Sequence, residues 1–396
     1  MPKRILISGA SVAGPALAYW LHRYGFDVTV VERAPTIRSG GYAVDFRGTA
    51  THVLGRMGLT SAVKQYETRT GAITMVDAHG GTLAQLPDGF TSGDIEILRG
   101  DLVKVLHEAT RENVTYLFGD SIRVLTQTAE GVEVTFASGN CGRFDLVIGA
   151  DGLHSNTRTL AFRDETNVLH DMGYYLAIFT VPDYLHLHDQ GRYYMQLGKR
   201  VGCFGSKNDG NAKASFYFAS NYLDRAAGDP LRRDPDAQKQ LLRDIFSDVK
   251  WEAPRLLSYL DQASDLYFDS LSQVRMERWS TGRVALLGDA ACCPTPLAGM
   301  GTSLAVTGAY TLAGELSKAG DDYAAAFARY EAILRPFVRE AQKMAMGSVE
   351  WFVPRSRFRL GLSRKLWSWM PKSTLKELMI DQPAKVASLV PFVDYT

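Results

Sequence analysis

The chain has 396 residues, of which 46% are hydrophobic and 22% are charged, close to the averages of folded globular proteins. This length predicts two or three structural units around at least one large core and excludes a mainly disordered chain. The 44 basic and 43 acidic side chains nearly cancel, which argues against a partner such as nucleic acid that would need a strongly basic protein.

The four cysteines, Cys141, Cys203, Cys292 and Cys293, lack the spacing of a zinc site or a disulfide framework. No secretory signal precedes the first apolar run, so we expect a cytoplasmic protein. Residues 290–314 are uncharged and as long as a membrane span. Their prolines, glycines and threonines would leave polar groups unsatisfied in lipid, which favours a loop and a buried helix over a span.

The N-terminal segment predicts a strand, a glycine turn, a helix and a second strand. The turn reads Gly9-Ala10-Ser11-Val12-Ala13-Gly14, and the second strand ends in Glu32. Small residues let a backbone approach a pyrophosphate, and the helix N-terminus then offers free N–H groups. Ser11 replaces the central glycine of the dinucleotide motif. The position after a strand and the acid about 20 residues later nevertheless favour a nucleotide site over a structural glycine turn.

The middle of the chain predicts mainly strands. Residues 114–118, 122–126 and 132–136 alternate and predict a β-meander, and residues 144–148 predict a strand that enters Gly149-Ala150-Asp151-Gly152. Alternating aromatic runs between residues 174 and 268 predict a second sheet.

A third strand-to-turn junction follows the second sheet. Residues 283–287 predict a buried strand that leads into Gly288-Asp289, a proline-containing loop and Gly299-Met300-Gly301. A helix is predicted after this loop. Three such junctions, separated by whole domains, are much less expected by chance than one, which favours ligand-contact turns.

These motifs resemble those of the class A FAD-dependent monooxygenases, the aromatic-hydroxylase group that shares the p-hydroxybenzoate hydroxylase fold and includes tetracycline-inactivating enzymes. The resemblance covers roughly residues 1–340. It rests on the first turn, on Asp151-Gly152-Leu153-His154-Ser155-Asn156-Thr157-Arg158, and on Gly288-Asp289-Ala290-Ala291 with the proline and glycines that follow. Cys292 stands where many relatives have a histidine, and Gly308 falls where an acid is frequent. Both departures concern the subfamily more than the cofactor.

The resemblance implies an α/β fold, with a Rossmann-like FAD-binding domain, an inserted β-sheet substrate domain and a C-terminal helical segment. We assign residues 1–170 and 276–340 to the FAD-binding domain, residues 171–275 to the substrate-binding sheet and residues 341–396 to the C-terminal segment.

The resemblance also implies the FAD contacts. The first turn would hold the pyrophosphate, Glu32 the adenosine ribose and Asp289 the ribityl chain, while the segment at Asp151 would serve flavin and nicotinamide. The predicted FAD-binding residues are Gly9, Ser11, Val12, Ala13, Gly14, Glu32, Arg33, Asp45, Arg99, Asp151, Asp289, Pro296, Gly299 and Gly301. Arg38 and Arg47 are candidates for the phosphates of flavin or NADPH.

The activity implied by the resemblance is hydroxylation of an aromatic or polyketide-like small molecule through a C4a-hydroperoxyflavin, with NADPH, or NADH, and O2 as co-substrates. The flavin carries the chemistry, so no side chain is singled out as catalytic. Alternatives are a flavoprotein of the same fold that performs epoxidation, ring opening or dehydrogenation, and a non-catalytic flavin-binding partner protein. No interface motif is recognisable, and we expect a monomer.

The substrate cavity should be apolar and lined by aromatic residues, so that water is excluded. Gln196, Phe204, Phe216 and Phe218 are candidates for this lining, although alternating aromatic residues on a sheet are also typical of an ordinary core.

The remaining features favour structural interpretations. His186 and His188 are more typical of surface histidines than of a metal site, and we expect no metal. Cys292 and Cys293 are expected to be buried small hydrophobic residues rather than nucleophiles. Residues 351–376 are basic and aromatic, which suits a membrane-surface or nucleic-acid contact, but a helix packed across the two domains is favoured.

Overall fold

The computed structural model describes residues 2–38, 40–68, 70–86, 93–205, 210–222, 234–370 and 372–395. The strands are β1 (Arg4–Ser8), β2 (Asp27–Glu32), β3 (Ala43–Phe46), β4 (Ile73–Val76), β5 (Thr82–Leu86), β6 (Ile95–Leu98), β7 (Thr115–Phe118), β8 (Ile122–Gln127), β9 (Val132–Phe136), β10 (Cys141–Phe144), β11 (Leu146–Gly149), β12 (Leu169–Pro182), β13 (Gly191–Gln196), β14 (Lys199–Gly205), β15 (Asn211–Ala219), β16 (Tyr267–Val274), β17 (Ser280–Thr281) and β18 (Val284–Leu286).

The α-helices are α1 (Ala13–Arg23), α2 (Thr49–Arg56), α3 (Thr60–Gln65), α4 (Arg99–Glu108), α5 (Asn156–Ala161), α6 (Pro235–Phe246), α7 (Ala253–Ser258), α8 (Asp289–Cys292), α9 (Gly301–Ala319), α10 (Tyr323–Phe352), α11 (Arg357–Trp369), α12 (Lys372–Lys376) and α13 (Gln382–Ala387). Short 3-10 turns lie at Ser220–Tyr222 and Pro296–Ala298, and a π-helical turn lies at Glu377–Asp381.

The first sheet is the Rossmann-like layer, with six strands in the order β17-β18-β11-β1-β2-β7. Its strands run parallel, apart from the edge strand β17. The inner strands are continuous aliphatic runs because both of their faces are buried; Ile5, Leu6 and Ile7 are completely buried. In this arrangement the carboxyl ends of β1, β11 and β18 meet at one edge, which brings the three glycine turns together.

The predicted meander is only partly present. β8, β9 and β10 form a three-stranded antiparallel sheet, but β7 leaves this group and pairs in parallel with β2, with Thr115 opposite Thr29. The alternation in the sequence indicates a strand and does not identify its partner, so the prediction that residues 114–118 belong to the meander is wrong.

The second sheet has seven strands in the order β16-β12-β15-β14-β13-β4-β5. One of its faces packs on α6 and α7 through a core that includes Phe179, Phe216 and Phe246. β4 and β5 precede residue 170, so the N-terminal part of the chain also supplies strands to this sheet. The domain boundary predicted at residue 170 leaves β4 and β5 out of the second sheet, because β4 pairs with β13, which is distant in the sequence. The other domain boundaries stay predictions.

The C-terminal segment covers the edge of the second sheet. In α11, Arg364 donates a hydrogen bond from Nη2 to the carbonyl oxygen of Met195, at 2.9 Å. Leu360 and Trp367 pack against this sheet, whereas Phe358 and Trp369 are 78% and 84% exposed. Among the described residues, no helix combines the length and the apolar character needed to cross a membrane.

Candidate functional site

The first glycine turn joins β1 to α1 and leaves the helix N-terminus accessible. Gly9 has a φ of +108°, and a Cβ there would lie 2.5 Å from the carbonyl oxygen of Ala150. A Cβ at Gly14 would lie 1.9 Å from the carbonyl oxygen of Gly9. No side chain caps α1, which begins at Ala13 after the N-cap Val12. The turn therefore offers unpaired N–H groups at a place where the backbone can closely approach an anion.

Glu32 lies at the end of β2, beside this turn. Its carboxylate accepts hydrogen bonds from the backbone N–H groups of Ala10, at 2.9 Å, and of Ala34, at 2.8 Å. The guanidinium of Arg38 lies 3.7 Å from the same carboxylate and is about half exposed. Arg33 is exposed.

Asp151 organises the second turn. Its carboxylate accepts hydrogen bonds from Ser155 Oγ at 2.5 Å and from both the backbone N–H and Oγ1 of Thr157 at 2.9 Å. The next helix presents Arg158, which donates to the carbonyl oxygens of Leu153 at 2.7 Å and Ala290 at 2.8 Å. The protein's own donors occupy the Asp151 carboxylate, so its direct role in this structure is to hold the loop and link it to the third turn.

The third turn packs against the first turn at Gly288, the residue before Asp289. Gly288 has a φ of +62°, and a Cβ there would lie 3.3 Å from the Cβ of Ala13. Burial raises the pKa of the Asp289 carboxyl, and the nearby positive charge of Arg99 opposes that rise. Arg99 begins α4; its Nη1 lies 3.4 Å from Ser11 Oγ, and its buried Nε has no hydrogen-bond acceptor.

Asp45 and Arg47 form a buried ion pair beside the loop that precedes α9. Arg47 Nη2 lies 3.2 Å from Asp45 Oδ2, and the backbone N–H of Arg47 donates to Ser303 Oγ at 3.0 Å. The Cβ position of Gly299 lies 3.7 Å from the same Asp45 oxygen. Thr295, with a φ of +83° and a buried Oγ1 that lacks a partner, shows that this loop is under backbone strain.

The three turns fit a dinucleotide cofactor such as FAD. The uncapped α1 and the closely packed glycines suit a pyrophosphate. The buried Nε atoms of Arg47 and Arg99 both lack an acceptor, and a polar group bound between these turns would supply one. α9 begins at Gly301, after the turn at Pro296, and also has no side-chain cap.

A cavity of about 590 Å³ lies between this edge and the second sheet. The N-terminal part supplies Tyr42, Ala43, Asp45, Arg47, Thr70 and Glu96; the sheet supplies Leu176, Ile178, Tyr193, Arg200, Phe204 and Tyr217; the loop supplies Pro296, Leu297, Ala298 and Gly299; and the C-terminal segment supplies Met344, Gly347, Trp351, Phe352, Leu366, Trp367, Met370 and Pro383.

Of the four predicted lining residues, the structure places Phe204 in the cavity and the other three on the opposite face of the sheet. Phe216 stacks on Phe179 with ring centroids 5.7 Å apart, and Phe218 is completely buried in the same core. Gln196 donates to Asp248 at 2.9 Å. Successive side chains of a strand alternate between faces, so Tyr217, between the two phenylalanines, faces the cavity instead.

Sequence reasoning missed several residues of this cavity. No sequence motif includes Glu96, Tyr193 or Arg200. Side chains at every second position of a strand share a face, so Arg200 lies on the same face of β14 as Phe204. For the C-terminal residues Phe352 and Trp367, the sequence pattern indicates only a basic aromatic helix. Their role in the cavity depends on where α10 and α11 pack, which their own sequence does not encode.

The remaining polar candidates lie elsewhere. Burial raises the pKa of the Cys292 and Cys293 thiols well above the ordinary value, which suits inert core residues. His186 and His188 are exposed. His154 lies 3.0 Å from Asp269 of β16, and this contact ties the second turn to the second sheet.

The fold and the three turns define a flavoprotein with a cavity beside its cofactor site. The family model described as FAD binding domain matches residues 3–345, and the chain belongs to this family. A flavin-dependent monooxygenase from Legionella longbeachae is 42% identical over 354 residues, which cover 88% of this chain and 90% of that protein.

Solved structures agree with this assignment. The crystal structure of the tetracycline destructase Tet(51) superposes with a TM-score of 0.86 at 36% identity, with 100% of both chains covered. Klebsiella pneumoniae HpxO, complexed with FAD and uric acid, shares the fold, with a TM-score of 0.79 at 22% identity over 98% of this chain and 97% of that chain. The chain is thus an FAD-dependent monooxygenase, and the predicted α/β fold and family resemblance are confirmed.

Proposed function

We propose that this enzyme uses NADPH, or NADH, and O2 to hydroxylate an aromatic or polyketide-like small molecule. The observation that carries the proposal is the cavity of about 590 Å³, because one wall consists of predicted flavin contacts, Asp45, Pro296 and Gly299, and another of the second sheet. FAD, when bound, supplies the oxygen activation. The cavity would hold the substrate within reach of it.

The protein's own residues hold the cofactor in this proposal. The N–H groups at Ser11, Val12 and Ala13 would bind the pyrophosphate, and Glu32 would accept a hydrogen bond from the adenosine ribose. Arg99 and Asp289 contact the flavin end, where the unpartnered Nε of Arg99 supports the assignment. Arg33 is exposed and stays a predicted FAD contact.

The cavity lining supports water exclusion around the reacting atoms. The cavity is lined by Leu176 and Ile178 of β12 and by Phe352 and Trp367 of the C-terminal segment. An apolar enclosure of this kind would exclude water from the reacting atoms and strengthen electrostatic contacts to the substrate.

The two arginines proposed for phosphate binding lie in different places. Arg38 is accessible beside Glu32 and stays our candidate for the NADPH phosphate. Arg47 is only 6% exposed and lines the cavity, so we assign it to the flavin side rather than to NADPH. A cytoplasmic location fits both the supply of NADPH and four free cysteines.

The first experiment is a visible spectrum of the purified protein during anaerobic NADPH titration, followed by ¹⁸O₂ and mass spectrometry of the product. Tetracycline is the first test compound, since the similar Tet(51) is a tetracycline destructase. We expect flavin bands that bleach with NADPH and one labelled oxygen in the product. NADPH consumption and product formation without label would contradict hydroxylation and favour a dehydrogenase.

A further inference from the structure

The outward face of α11 carries an apolar stripe, formed by Phe358, Leu362 and Trp369, that is exposed in the described part of the chain. These residues are separated by four and seven positions, so they lie on one face of the helix. Their side chains are 78%, 36% and 84% exposed, respectively. Phe358 and Trp369 are the two most exposed large hydrophobic residues among those that the structure describes.

The apolar stripe is separate from the face by which α11 packs on the protein. Leu360 and Trp367 of the inner face pack against the second sheet, and Ser363 between them is completely buried. Single exposed apolar residues are ordinary, but an aligned group of them is typical of an interaction site. The helix is therefore anchored by one face and presents the other to a partner.

The segment that contains this helix is strongly basic. Residues 351–376 include seven Lys and Arg residues and no Asp or Glu. Because the whole chain has 44 basic and 43 acidic residues, the rest of the chain is net acidic. The positive charge is thus concentrated around the apolar stripe, which suits a negatively charged partner.

Two cations are available beside the apolar stripe. Lys365 lies on the same helix face, and Arg357 begins the helix; both are exposed. Neither side chain has an ion-pair or hydrogen-bond partner among the described residues. Three neighbouring arginines already have partners in the protein, namely Arg355 with the carbonyl oxygen of Gly173, Arg359 with the carboxylate of Glu350 and Arg364 with the carbonyl oxygen of Met195.

A lipid surface fits this face better than a second copy of the chain does. Protein interfaces take about 20–30 residues on each side, whereas the apolar stripe is three side chains along about 17 Å of a convex helix. Two copies joined through this face would also bring like charges together. A bilayer adapts to a convex helix, accepts aromatic side chains at its interface and, with anionic headgroups, attracts Lys and Arg.

We propose that α11 docks this enzyme on the surface of a bilayer that contains anionic phospholipids. The apolar stripe enters the headgroup region, and Arg357 and Lys365 contact the lipid phosphates. Docking is peripheral and reversible, because one helical stripe buries little apolar area. Since Trp367 on the inner face lines the cavity, the cavity then lies about one helix diameter, roughly 10 Å, from the lipid. The inference does not depend on the reaction proposed above.

The test measures the partition coefficient of the FAD-loaded, full-length protein by flotation with vesicles. One vesicle type is phosphatidylcholine alone, and the other contains phosphatidylcholine and phosphatidylglycerol in equal parts. Phe358→Ser/Trp369→Ser removes the two largest side chains of the apolar stripe. The matched control, Tyr66→Ser/Val124→Ser, removes two exposed apolar side chains elsewhere on the molecule.

We expect the unaltered protein to bind the mixed vesicles about tenfold or more tightly than phosphatidylcholine alone, and to be released by about 1 M salt. Phe358→Ser/Trp369→Ser should lower the partition coefficient on mixed vesicles about tenfold or more. The control should leave it unchanged. Tryptophan emission should shift to shorter wavelength on mixed vesicles, and Trp369→Ser should reduce this shift.

The basic residues are tested separately. Lys365→Gln should weaken binding to the mixed vesicles about fivefold, the effect of one basic residue near an anionic surface. Arg123→Gln, which removes an exposed cation from β8, should not change it.

Three outcomes would overturn the inference: no binding to the mixed vesicles, equal binding to both vesicle types, or binding that Phe358→Ser/Trp369→Ser retains in full. Self-association without lipid that this variant abolishes would also overturn it, because the partner would then be a second copy of the chain. Circular dichroism and FAD content check the fold of each variant. If the double variant does not fold, the partition coefficient and emission shift of Trp369→Ser decide.

Discussion

Glu96 shows how a single buried carboxyl connects the cavity to the stability of the fold. It is 3% exposed, and burial raises its pKa to about 7, against an ordinary value of 4.5. The negative charge of Asp45 adds to this rise, whereas the hydrogen bonds from Thr68 and Thr70 oppose it. A carboxyl with a higher pKa in the folded state binds its proton more tightly there, so its contribution to stability is complete below about pH 4.5 and is lost as the pH rises through 7.

We therefore predict that Glu96→Gln, which keeps an oxygen acceptor for the two threonines, stabilises the protein at high pH. Relative to the unaltered protein, its free energy of unfolding should rise by roughly 2–3 kcal/mol between pH 5 and pH 8. Urea unfolding at one-unit pH steps measures this difference. Glu133→Gln, at an exposed position, should show a pH-independent difference. A constant difference for Glu96→Gln would show that Glu96 is charged throughout.

At the level of elements, α11 contributes one of its two tryptophans to the lining of the cavity. Trp367 lines the cavity, and its Nε1 donates to Ser363 Oγ at 3.0 Å. Ser363 in turn donates to the carbonyl oxygen of Trp351, at 3.1 Å, which fixes α11 on the end of α10. Trp369, two residues later, is 84% exposed.

This arrangement predicts different effects for two otherwise similar substitutions. Trp367→Ala should raise the Kd of the test compound that the enzyme binds, with tetracycline tried first, about 30-fold, since a buried aromatic contact contributes about 2 kcal/mol to binding. FAD retention, measured from the ratio of flavin to protein absorbance, should not change. Trp369→Ala should leave both quantities unaltered. Equal effects of the two variants would mean that α11 does not close the cavity.

The elements also show what sequence alone could and could not predict. The glycine turns were predictable because Gly9 and Gly14 stand where a Cβ would collide with backbone, a requirement that leaves a residue type in the sequence. The face of each strand was not predictable from aromatic content, since both sides of the second sheet are covered. Phe216 and Tyr217 look alike in sequence, yet one lies in the core and the other in the cavity.

On the scale of the whole molecule, the cofactor site depends on contacts between segments far apart in the chain. Gly9 packs on Ala150, and Gly288 packs on Ala13. Arg158, which is 6% exposed, joins the second and third turns through the carbonyl oxygens of Leu153 and Ala290. The sequence identified each turn separately, but the side chain that connects them became apparent only when the strands were assembled.

Arg158→Met tests this connection, because it keeps a long side chain and leaves two carbonyls without their donor. Buried unsatisfied groups cost about 1–3 kcal/mol each, so the free energy of unfolding should fall by about 3 kcal/mol. The Kd of FAD should rise at least about tenfold if the turns must be held together to bind it. Urea unfolding and FAD titration of the apoprotein measure the two effects.

The control is Arg163→Met, which removes an exposed arginine that donates to the carbonyl oxygen of Leu160 at 3.3 Å. It should change neither the free energy of unfolding nor the Kd of FAD. Lower stability with unchanged FAD affinity would mean that the turns keep their arrangement without Arg158, through the close packing of Gly9 and Gly288 alone.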